Sequence, residues 1–144
     1  MEIISAVFKT EEAIPAKYTC DGMDLSPPLT FKDVPEGAES LALIVDDPDA
    51  PGGTWVHWVM WNIEPSIGEI SQGEQIKAEK GKNDFGKLNY GGPCPPRGTH
   101  RYYFKLYALD KRLNLREGSS KKPLEKAMEG HILGEAQLMG VYSR

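Results

Sequence analysis

The chain has 144 residues, and 40% are hydrophobic against 26% charged, which suits one folded domain and excludes a disordered polar chain. With 17 Lys and Arg against 21 Asp and Glu the net charge is -4, which argues against nucleic acid or an anionic membrane as partner. The longest apolar run, Leu41 to Val45, is far below the roughly 20 residues of a membrane span, and Met1 to Lys9 lacks the features of a secretory signal, so a cytoplasmic location is expected.

Taken in order, Ile3 to Phe8 is apolar enough for a first strand. Cys20-Asp21-Gly22 is a turn, because Asp and Gly tolerate positive φ. Ser26-Pro27-Pro28 is rigid and extended, and Leu29 to Phe31 continues it as a short strand. Leu41 to Val45 is apolar at every position, so it is expected at the centre of a sheet, buried on both faces. It runs into Asp46-Asp47-Pro48-Asp49-Ala50-Pro51-Gly52-Gly53, which cannot be regular structure.

Val56 to Ile63 is the next strand. Strict alternation puts His57, Val59, Trp61 and Ile63 on one face, and Val56, Trp58, Met60 and Asn62 on the other. Glu64 to Leu88 is a long polar connection with a short strand expected near Gln75 to Ala78. Asn89 to Gly98 is a loop shaped by Gly and Pro. His100 to Leu109 is a strand that carries His100, Tyr102, Phe104, Leu106 and Ala108 on one face, with Arg101 pointing away. The one clear helix is Lys121 to Gly130, with Ser120 as N-cap, Pro123 in the first turn, and a Leu124, Ala127, Met128 stripe. Glu135 to Tyr142 alternates as a last strand. The pattern is a mostly β chain, a sandwich of two antiparallel sheets with one helix in its C-terminal region.

Cys20 and Cys94 form no CxxC pair and are expected as free thiols. No GxSxG, GxxxxGK[ST] or HExxH pattern occurs, and no metal-ligand spacing, so neither a metal nor a cofactor is expected. The chemistry is concentrated elsewhere. Asp46 to Pro51 crowds three carboxylates at the end of the most apolar strand, which is costly without compensation. Read blandly, it is an acidic turn between prolines. His57 and His100 each open a strand just after a Gly- and Pro-rich loop, which places both at one rim of the sandwich. His131, next to Gly130, reads as a cap on the helix carbonyls. The loop Gly91 to Gly98 can offer backbone N–H groups to an anion, or serve as a stiff crossover.

An ordered set of motifs carries a resemblance. It comprises Cys20-Asp21-Gly22 with Ser26-Pro27-Pro28-Leu29, Asp47-Pro48-Asp49-Ala50-Pro51, His57-Trp58-Val59, Asn83-Asp84-Phe85-Gly86, Gly91-Gly92-Pro93-Cys94-Pro95-Pro96 and Gly98-Thr99-His100-Arg101-Tyr102. Together they resemble the phosphatidylethanolamine-binding protein family, also called the Raf kinase inhibitor family. The match is closest to the short bacterial and archaeal branch; Thr99 directly before His100, and an end soon after Tyr142, depart from the longer eukaryotic pattern. The resemblance implies a small exposed cavity that takes phosphate, acetate, cacodylate or a phosphorylated head group. Its lining here would be Asp47, Asp49, His57, Pro96, His100 and Tyr102, with Gly92 supplying backbone and Ala50 and Pro51 shaping the wall. It also implies binders and inhibitors of kinases and proteases rather than enzymes.

The residue chemistry agrees with an oxyanion site, since imidazole, a Tyr hydroxyl and loop N–H groups are its usual donors. An aspartate is expected behind an imidazole, fixing its tautomer and leaving the other nitrogen for the ligand. Three functions compete: a small-anion or phosphorylated-ligand binder that regulates a protein partner; a hydrolase with His57 or His100 as base and Asp47 orienting it, for which no serine or cysteine is visibly placed as nucleophile and Cys94 is only a candidate; and an interaction subunit with a vestigial pocket. The tryptophans Trp55, Trp58 and Trp61 near the rim favour a homodimer.

Overall fold

The computed structural model describes Met1 to Arg144. The strands are β1 (Glu2–Ile4), β2 (Leu29–Lys32), β3 (Ser40–Asp47), β4 (Trp55–Ile63), β5 (Glu69–Ile70), β6 (Glu79–Lys80), β7 (Thr99–Leu109) and β8 (Ile132–Ser143), with helix α1 (Lys121–Met128) between the last two. A small antiparallel sheet has the order β1-β2-β5, and a larger antiparallel one the order β6-β4-β3-β7-β8. No helix is long and apolar enough to cross a membrane.

The large sheet has an apolar layer on each face. Leu41, Leu43 and Val45 of β3 and Tyr102, Phe104, Leu106 and Ala108 of β7 meet Ile3, Leu29, Phe31 and Ile70 of the small sheet. On the opposite face Ala42, Ile44, Val59 and Trp61 pack under Leu124 and Met128 of α1 and Leu113 of the preceding loop. This double cover is why every residue of β3 is buried, as its unbroken apolar run requires. The α1 stripe does what its spacing indicates, although the Ser120 side chain makes no capping bond. His131 pairs its ring with Asp110, while its backbone N–H donates to Met128.

Several expectations need correction. The first strand stops at Ile4, because Ser5 donates to the Pro28 carbonyl and accepts from the Val7 N–H, so its hydroxyl replaces a ladder bond. The long connection holds β5 and β6 rather than one strand at Gln75 to Ala78. Alternation along β4 fails at two places. Val45 pairs with Trp58 but Asp46 pairs with Val56, so His57 is an extra residue, a bulge. A second shift lies near Asn62, which has φ +54 and whose amide pairs in both directions with the Leu113 backbone. Consequently Trp58, Met60 and Ile63 face the small sheet, whereas Val56, Val59 and Trp61 face α1.

The two cysteines are not free thiols. Cys20 and Cys94 form a disulfide across 74 positions. Their loops already lie side by side, with the Cys20 N–H donating to the Pro93 carbonyl at 3.1 Å. Spacing in the sequence carried no sign of this juxtaposition, and the thiols no longer support a reducing compartment.

Candidate functional site

The β-strand chemistry converges at one end of the sandwich. Asp47 is the last residue of β3 and shares the inward face of Leu41, Leu43 and Val45. His100 and Tyr102 open β7 on its inward face. The bulge turns His57 toward them, whereas strict alternation would have left it beside Val59 and Trp61 under α1. The His57 ring meets Tyr102 edge-on at 5.2 Å between centroids, and His100 stacks with Tyr102 at 6.5 Å.

Each imidazole is held from behind by one nitrogen. His100 Nδ1 lies 2.7 Å from Asp47 Oδ2, with both side chains buried. The other oxygen of Asp47 accepts the Asp49 N–H at 2.7 Å, which fixes the carboxylate plane. His57 Nδ1 lies 2.6 Å from the Gly91 carbonyl, so this nitrogen carries the proton and donates. Burial pushes the His57 pKa below its ordinary value and favours the neutral ring. Tyr102 is 1% exposed, and its buried hydroxyl finds no hydrogen-bond partner within the protein. Burial raises its pKa, so it stays protonated and can donate.

These three side chains and Asp47 line a cavity of about 190 Å³, closed by Ala50, Pro51, Trp55, Phe85, Cys94, Pro95 and Pro96. That is smaller than the 300–1,000 Å³ of drug-sized sites, so its occupant is limited to a small group. A larger hollow of about 600 Å³ lies elsewhere, between β1 and β8, without such convergent polar groups.

Of the residues singled out in the sequence, Asp47, His57, Pro96, His100 and Tyr102 come together around this cavity. Asp49 does not. It turns outward to Arg101, accepting from the backbone N–H and from two guanidinium nitrogens, and this pairing holds its pKa down at about 2. Gly92 lies behind the wall, its N–H donated to Asp24 at 2.8 Å. The Gly91 N–H is likewise taken, by the His57 carbonyl. Neither glycine N–H is free for an anion. Trp55 and Phe85 escaped the sequence reading as liners. Their signal was an aromatic residue beside glycine turns, Gly52-Gly53 before Trp55 and Gly86 after Phe85, and at the mouth they pack edge to face at 5.6 Å. No cluster of three or more His, Cys, Asp and Glu side chains is placed to hold a metal ion.

A two-sheet β sandwich with a small end cavity framed by an Asp–His pair, a second histidine and a proline loop defines a class of binding protein. The chain belongs to the phosphatidylethanolamine-binding protein family, whose model matches residues 4–143. Within it the chain matches the short bacterial and archaeal branch. It is 53% identical to a UPF0098 protein of Pyrococcus abyssi, over 98% of this chain and 84% of that one. A UPF0098 protein of Chlamydia muridarum is 48% identical, over 100% and 99%. The crystal structure of a phosphatidylethanolamine-binding protein homologue from Chlamydia trachomatis superposes with a TM-score of 0.97 at 46% identity, covering 99% of this chain and 97% of that one. E. coli YbcL, described as a member of the mammalian family, superposes with a TM-score of 0.91 at 32% identity, covering 99% and 98%. Family membership supports a general binding role.

Proposed function

We propose that the end cavity binds a small oxyanion, inorganic phosphate or the phosphate of a head group, without turning it over, and that the bound state regulates a protein partner such as a kinase or protease. The observation that carries this reading is the buried, unpaired Tyr102 hydroxyl beside two imidazoles that are each held by Nδ1. A buried hydroxyl without a partner costs about 1–3 kcal/mol, which an incoming acceptor offsets. Turnover has less support. The two rings bond to Gly91 and Asp47 rather than to a nucleophile, and the Cys94 sulfur is tied up in the disulfide. A protein partner would meet the exposed Trp55 and Phe85 at the mouth.

Titration with inorganic phosphate, followed by amide and histidine NMR signals, tests the site. Saturable shifts centred on His57, His100 and Tyr102 are expected. Shifts that map elsewhere, or none, would remove the anion reading and leave the interaction-only one.

A further inference from the structure

We infer that the Cys20–Cys94 bridge is an exchangeable latch on the cavity wall: a dithiol reductant opens it in the folded protein, and the opened wall holds an oxyanion more weakly. This rests on the anion reading above and adds to it a form of regulation, by thiol–disulfide exchange.

The two sulfurs sit on unlike supports. Cys20 belongs to a well-tied turn. Its N–H donates to the Pro93 carbonyl, and the Gly22 N–H donates to the Thr19 carbonyl. The Thr19 hydroxyl donates to the Ala16 carbonyl and accepts the Asp21 N–H. Cys94 instead opens the segment Cys94-Pro95-Pro96-Arg97, in which no backbone N–H or C=O makes a hydrogen bond. Its two prolines have no N–H to give. The segment is pinned at its ends, by the Pro93 carbonyl and by Gly98, which exchanges both backbone bonds with Arg144. Between those ends it is held by the bridge and by the packing of Pro95, which is buried. Cys94, Pro95 and Pro96 line the cavity together with His57, His100 and Tyr102. The bridge thus fastens a loose stretch of the wall to a fixed post.

The bridge is also open to attack. Cys94 is exposed and Cys20 half-buried. Arg144 points Nη1 at Cys94 Sγ, 3.8 Å away, and turns its other edge, Nε and Nη2, to Asp21. That carboxylate also accepts the Tyr142 hydroxyl. A guanidinium is always charged, so a cation stands at the exposed sulfur and draws in a thiolate, the attacking species in exchange. The thiolate of the reductant bonds to Cys94 Sγ and breaks the S–S bond. The Cys20 sulfur leaves with the electron pair and takes a proton from solvent. The second thiol of the reductant then loses its proton, attacks the mixed disulfide and releases Cys94, which is protonated in turn. Two electrons pass to the protein, and the dithiol ends as a disulfide. Once freed, the Cys94 to Arg97 segment spends part of its time away from the cavity. Apparent affinity falls with the fraction of molecules whose wall is in place.

The test compares oxidised and reduced native protein by calorimetry with inorganic phosphate. Thiols are counted by alkylation and mass spectrometry without denaturant. Dithiothreitol should open the bridge while circular dichroism stays unchanged. Phosphate affinity should then fall by about tenfold, as for a wall in place about a tenth of the time, and should return on reoxidation. The double variant C20S with C94S should bind phosphate as the reduced native protein does. A bridge that opens only in denaturant, or whose opening unfolds the chain, is a staple of the fold and overturns the inference. Equal phosphate affinity in the two redox states also overturns it, and each of these results leaves anion binding intact. If the oxidised protein does not bind phosphate, the underlying reading falls and takes the inference with it.

Discussion

Asp46 and Asp47 are neighbours on one strand, almost equally buried, and they meet opposite fates. Asp46 points to the α1 face, where Lys121 at 2.7 Å and Lys105 at 3.1 Å share one of its oxygens. Asp47 points between the sheets and meets one histidine. Two lysines neutralise their carboxylate and leave nothing for a ligand. One imidazole satisfies its carboxylate with Nδ1 and keeps Nε2 in reserve. Carboxylate burial alone therefore does not mark a site; the partner's remaining valence does.

The largest expected effect tests the structural half of this contrast. Replacing both lysines, K105M with K121M, leaves the Asp46 charge buried without a cation. Stability should fall by about 3–5 kcal/mol, read from urea unfolding. Phosphate affinity should stay within about twofold of the native value. A tenfold loss of affinity would show the two aspartates to be one coupled network.

The functional half predicts the reverse. H100A should weaken phosphate binding by about ten- to hundredfold while the protein remains folded by circular dichroism. D47N keeps the shape and removes the charge, so it should weaken binding less than H100A does. Unchanged affinity in H100A would place the anion elsewhere.

The smallest effect comes from Asp49, the third carboxylate of the same segment. Its depressed pKa means the Arg101 pair stabilises the fold fully above the unfolded value of about 3.8. That contribution is lost as pH falls through about 2. The pair is partly exposed, so R101Q should flatten acid unfolding slightly, and most visibly at low salt. His57 acts in a higher window. Its lowered pKa means that stability is complete above about 6.5 and declines as pH falls below it. A thermal-melt series from pH 8 to pH 2 separates the two, the His57 decline setting in below about 6.5 and the Asp49 loss only below about 3.8.

The core was legible because burial writes itself into composition. Leu41 to Val45 could only be central, and His100 to Leu109 alternates without interruption. The direction of Arg101, away from His100, followed from the same alternation. What alternation could not foresee is where it breaks. A bulge at His57 leaves no composition signature, although it decides which way that ring faces. Asn62 offered a faint one, since asparagine tolerates positive φ better than most residues. Asp49 was misleading because its partner, Arg101, lies 52 positions away, and proximity across the sheet cannot be counted along a chain. The two cysteines posed the same problem over a longer interval.

The Cys20–Cys94 bridge also has a topological reading. It closes a covalent ring that threads both layers, since β2 and β5 belong to the small sheet and β3, β4 and β6 to the large one. β7, α1 and β8 hang outside that ring as an open tail. A single protease cut anywhere in the ring would leave the molecule in one covalent piece, whereas one cut in the tail would divide it in two. The wall residue Cys94 lies on the closed side of that boundary and the pair His100 and Tyr102 on the open side. The cavity is thus assembled across the seam between the ring and its tail.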